Sequence, residues 1–131
     1  MKRILMLTLL VISFLAVSCN NNKNKDVKTI ISGPSSKTWH PSKQTDASGD
    51  KVKLTDEEKK ESWIFYSNGQ VSMNMTNQSM QGRWTYDQNT KVLAITPDGS
   101  TMAQTFTVKD AEEDELDLTA GDGTAMKLKT E

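Results

Sequence analysis

The chain has 131 residues, 35% hydrophobic and 25% charged, with 16 basic against 17 acidic side chains and a formal charge of −1. That near-neutral balance, with no Lys/Arg stripe interleaved with aromatics, excludes the electrostatic footprint of a phosphate-backbone binder, so no nucleic-acid partner is expected. A single cysteine, Cys19, excludes an internal disulfide framework, and a single histidine, His40, excludes a histidine-based metal cluster.

Residues 1–18 read as an export signal. Lys2 and Arg3 form a basic head, and Ile4 to Val17 an uncharged apolar run broken only by Thr8 and Ser13. A membrane-spanning helix needs roughly 20 apolar residues, and here Asn20, Asn21, Asn22 and Lys23 follow the run at once. The segment LAVSC resembles a lipobox, the site at which bacterial lipoproteins are acylated on cysteine and cut just before it. The resemblance implies a mature chain that starts at Cys19 and is held on the membrane by acyl groups such as palmitate. Acylation also removes a lone thiol that would be a hazard in an oxidising compartment. At about 0.8 kcal/mol per buried methylene, several acyl chains hold a protein far more firmly than one. Asn20 after the cysteine is not an acidic retention residue, so resemblance to lipoprotein sorting places the protein on the outer membrane, facing the periplasm.

Residues 19–36 are polar, with a Gly33-Pro34 break, and read as a flexible tether. About 17 residues reach at most ~60 Å stretched and ~20–25 Å on average as a coil. The alternative makes Val27, Ile30 and Ile31 a short strand that caps the domain. Residues 37–131 are enough for one domain with one modest core. Between Pro41 and Asp50 there is no periodicity, which predicts a loop. Thr55 to Glu58 has capping-box spacing, which predicts one or two helical turns.

After Ser62 the apolar residues alternate with period two through WIFYSNGQVSMNM, MQGRWTY, MAQTFTV, ELDLT and AMKLK. Turn residues fill the gaps: Ser67-Asn68-Gly69, Asp87-Gln88-Asn89, Pro97-Asp98-Gly99-Ser100 and Gly121-Asp122-Gly123. The pattern predicts an all-β antiparallel meander that closes on itself, with one short helix. For the first hairpin, a three-residue turn with Gly69 left-handed pairs Phe65 with Val71 and Trp63 with Met73. This register is preferred to the two-residue Asn-Gly turn because it gathers Trp63, Phe65, Val71, Met73 and Met75 on one face. The rest of the inward set is Met80, Trp84, Tyr86, Leu93, Ile95, Met102, Phe106, Val108, Leu116, Leu118, Met126 and Leu128, with Trp39 joining from the opening strand.

SKTWH near the domain start, the aromatic strand WIFYSNGQV, then GRWTYD, KVLAIT and the late EDELDLT together resemble the lipocalin-like domain of bacterial lipoproteins, over about Lys37 to Lys129. The resemblance implies a barrel of about eight antiparallel strands, no enzymatic activity, and binding of a small apolar ligand. Fold alone does not fix function.

The residues themselves offer no catalytic site. Ser35-Ser36-Lys37 and Ser42-Lys43 lack any oxyanion-hole signature. Asp110, Glu112, Glu113, Asp114 and Glu115 lack the alternating spacing and glycine of a calcium loop and read as a solvated turn. No enzyme, cofactor or metal site is therefore expected. Trp39, Trp63, Phe65, Met73, Met75, Trp84, Met102 and Phe106 are the candidates to line an apolar pocket or simply to fill the core, and a small barrel favours the filled core. Two functions follow: a membrane-anchored binding module for a small apolar ligand, or a non-catalytic partner of an envelope protein assembly.

Replacing Cys19 by Ser should leave the protein uncleaved or soluble, as read by membrane fractionation. A variant cut to mature length that still pellets with membranes through high-salt and carbonate washes would refute the lipid anchor.

Overall fold

Gly69 adopts φ 94° in the turn after Tyr66, and this left-handed residue sets the register of the first hairpin. In the computed structural model, which describes residues 26–130, Phe65 pairs with Val71 and Trp63 with Met73, as the three-residue turn requires. The strands are β1 (Ser36–Thr45), β2 (Lys51–Val52), β3 (Ser62–Tyr66), β4 (Gln70–Met75), β5 (Gln78–Asp87), β6 (Val92–Pro97), β7 (Gln104–Ala111), β8 (Glu115–Ala120) and β9 (Ala125–Lys129). From β3 onward each strand pairs antiparallel with the next, and β1 pairs with both β3 and β9. The result is a closed eight-stranded barrel, with β2 a two-residue addition beside the end of β1.

Two strands bend through bulges, β1 between Pro41 and Lys43 and β7 between Val108 and Asp110. Pro41 cannot donate to a ladder, which is why it sits at an irregularity. At Gly82 the walls approach so closely that a Cβ would lie 2.3 Å from the Thr96 carbonyl oxygen. Only glycine fits between β5 and β6 there.

The expected tether is corrected within the described residues. Val27–Ser32 form a helix, α1, whose Ile30 and Ile31 are buried in the barrel core. Asp26 caps it by accepting from the Lys28 N–H at 3.2 Å, and Gly33 at φ 64° ends it. Its C-terminal carbonyls are satisfied from β1: the Trp39 indole N–H donates to Ile31 O at 2.8 Å and the Lys37 ammonium to Ile30 O at 3.0 Å. The folded unit therefore includes α1, ahead of the expected Lys37, because two isoleucines gain burial by closing one barrel end. Residues 1–25, including Cys19 and the expected signal, lie outside the described part.

Alternation puts the strand end near Ser36, the turns at 67–69, 88–91 and 112–114, and Lys129 at the α1 end. The 46–61 loop and the turns at 76–77, 98–103 and 121–124 lie at the opposite end. The predicted helical turn is a 3-10 turn, Glu58–Lys60, with the Glu58 N–H donating to the Thr55 hydroxyl at 3.1 Å.

With this register, Phe65→Ala empties a fully buried site and should cost about 3–5 kcal/mol, whereas Tyr66→Ala, on the outward face, should cost far less. Denaturant midpoints measure both, and the reverse order would refute the register.

Candidate functional site

Eight strands leave an interior just wide enough for side chains or one small ligand. Here side chains take it. Trp39, Phe65, Leu93, Ile95, Leu116 and Leu128 are each 0% exposed, so no water-sized space adjoins them. Phe65 and Trp84 meet edge to face at 5.5 Å between centroids, and Trp63 and Phe106 meet at 5.8 Å. The α1 end is closed by Ile30 and Ile31, with the Trp84 indole N–H donating to Tyr66 O at 2.9 Å. The Tyr86 hydroxyl has its pKa raised by burial first, and then by Asp26 and Asp87.

Most of the sequence-predicted site residues are thus core. Trp39, Trp63, Phe65, Met73, Trp84 and Phe106 are buried together in one cluster. Met75 is half-buried at the far end of β4. Met102 is corrected: it is 80% exposed and lies in the loop before β7, not in a strand. The last rung between β6 and β7 is Ile95 with Gln104, so the alternation written in MAQTFTV continues past the end of the wall that would bury Met102. The loop is held in place by its own contact, the Met102 N–H donating to the Ser100 hydroxyl at 3.1 Å.

The chain's polarity follows from these placements. The five described methionines, Met73, Met75, Met80, Met102 and Met126, lie toward the end opposite α1. Met80 and Met126 are partly buried against the core. Met75 borders a hollow of about 480 Å³ between the 3-10 turn and the β4–β5 turn, walled also by Glu57, Lys60, Glu61, Asn74 and Thr76. Glu61 braces this end by accepting from the Thr76 hydroxyl at 3.0 Å.

A second hollow, about 270 Å³, lies on the outer wall across β1, β8 and β9, where Thr45, Thr119 and Ala125 are flanked by Lys43, Asp117 and Lys127. Lys127 hydrogen-bonds Glu115, which lowers the Glu115 pKa and raises its own. The acidic cluster forms the β7–β8 turn, and its Glu113 reaches Lys37 at 3.4 Å. Among the described residues no group of three His, Cys, Asp or Glu side chains is placed to hold a metal ion.

Met73→Trp should overpack the filled wall and cost about 1–3 kcal/mol or more, whereas Met102→Trp should leave stability nearly unchanged. Thermal or denaturant unfolding of the two variants decides it. A stable Met73→Trp protein would reveal space beside Met73.

No protein-family model matches the sequence, and no curated protein is significantly similar to it. Solved structures do resemble it. A lipocalin-like protein from Bacteroides uniformis aligns with TM-score 0.61 at 15% identity, over 72% of this chain and 96% of that one. A protein from Bacteroides eggerthii described as uncharacterized aligns with TM-score 0.60 at 12% identity, over 72% and 98% of the two chains. A DUF4847 family protein from Bacteroides vulgatus aligns with TM-score 0.57 at 14% identity, over 79% and 96%. At such identities the likeness is one of fold: the chain folds as a lipocalin-like barrel.

Proposed function

We propose that the protein is a non-catalytic binding module, lipid-anchored through Cys19 to the periplasmic face of the outer membrane, which engages a small apolar ligand at the methionine-lined end of its barrel. The observation that carries this reading is the asymmetry of the barrel. Its α1 end is closed by Ile30 and Ile31, its middle is filled, and its opposite end carries Met75, Met80 and Met126 only partly covered. Thioether side chains suit irregular and varied apolar partners.

The anchor supports this orientation. Seven peptide units separate Cys19 from Asp26, a stretch of at most about 25 Å when extended. A lipid on Cys19 would hold the α1 end near the bilayer and turn the methionine end away from it. A second reading, docking onto an envelope protein, draws on Met102 and Val52, the exposed large hydrophobic residues at the same end.

Native mass spectrometry of lipidated protein purified from its own host tests both readings. A small apolar molecule retained by the wild type and lost from Met75→Lys/Met80→Lys supports the proposal. A co-purifying protein lost from Met102→Lys supports the second reading. Bare protein in every sample, with no uptake of added apolar ligands, would refute ligand binding.

A further inference from the structure

We propose that Met73, Met75 and Met80 form a site for a soft monovalent cation, Cu⁺ being the chemical class, bound through thioether sulfurs. Met73 and Met80 are direct partners across the β4–β5 ladder, and Met75 follows Met73 on the same inward face. Direct cross-strand neighbours have Cβ atoms about 4.5–5.5 Å apart, and diagonal neighbours such as Met75 and Met80 about 7–8 Å. Each methionine has three rotatable bonds beyond its Cα, so three Sδ atoms so placed can converge on one ion. Thioethers are uncharged, soft donors that select Cu⁺ over hard divalent cations.

The surroundings favour a cation. Met75 opens onto the end hollows, which are bordered by Glu57, Glu58 and Glu61 with Lys60 as the basic residue, so the access route carries net negative charge. Trp63 stands opposite Met73 in the β3–β4 ladder and supplies an aromatic face beside the thioethers. The Trp39 and Trp84 indoles are pinned by hydrogen bonds, whereas the buried Trp63 indole N–H has no acceptor. Trp63 is held instead by packing, with Phe106 at 5.8 Å between centroids. The site requires neither the membrane anchor nor the apolar ligand proposed above.

The test uses the full chain in detergent, labelled at the methionine methyl groups, titrated with Ag⁺ as a redox-inert probe and then with Cu⁺ held reduced by ascorbate. The expected result is one ion per protein by native mass spectrometry, with methyl resonances of Met73, Met75 and Met80 shifting while Met102 and Met126 stay in place. Met75→Leu/Met80→Leu keeps the apolar volume, so it should remain folded and weaken Ag⁺ binding by more than about tenfold. The same variant should still retain an apolar ligand, which separates failure of this site from failure of ligand binding. Undiminished Ag⁺ binding in the folded double variant, shifts centred on Met102 or Met126, or no binding at excess Ag⁺ would each overturn the proposal.

Discussion

Everything in this molecule depends on β1 pairing with β9. A meander of eight strands left open would expose two rows of unpaired backbone groups and one side of its apolar face. Closing β1 on β9 removes both edges and turns the inward residues into a ring of mutual neighbours. β1 pairs with β3 through Ser36–Trp39 and with β9 from His40 on, and the bulge between Pro41 and Lys43 falls within the β9 pairing. Gly82 makes a matching concession on the other side, where the β5 backbone meets the β6 carbonyls with no room for a side chain.

Once the ring is closed its interior volume is set, and three tryptophans, two phenylalanines and the aliphatic residues occupy it. That moves functional interest from the centre of the barrel to its ends. The two ends differ in kind. At one, α1 lies across the strands and its last carbonyls are taken by Trp39 and Lys37, so plug and barrel share hydrogen bonds. At the other, Met75, Met80 and Met126 are only partly covered, Leu54 of the 46–61 loop is buried, and the neighbouring loops carry carboxylates. The filled middle leaves the two ends, one closed by α1 and one lined by methionines, as the places where the barrel can meet another molecule.

Period-two alternation made the strands legible, since each turn is marked by glycine, asparagine or aspartate and most inward positions by a large apolar residue, with Gly82 in β5 and Gln104 in β7 as exceptions. Gly69 even allowed the first register to be chosen, because only the three-residue turn placed Val71 and Met73 on the same face as Trp63 and Phe65. Three features were misread. Pro41–Thr45 show no period-two alternation and suggested a loop, yet they are the part of β1 that pairs with β9, where the bulge after Pro41 breaks the alternation. Val27, Ile30 and Ile31 have helical spacing between a capping Asp26 and a terminating Gly33, yet the polar residues around them suggested a tether. Met102 keeps the alternation of its strand but lies beyond the last rung, and periodicity does not reveal where a wall stops.

By itself, the sequence determined the all-β architecture, the strand faces and the hairpin register, because these are local matters of side-chain alternation and turn chemistry. The tertiary structure alone decided that the barrel is filled, that α1 seals one end, and that the methionines gather toward the other. Those properties come from strands distant in sequence sharing one enclosed volume. How much space remains after Trp39, Trp63 and Phe106 converge is a property of the closed ring and of no single segment.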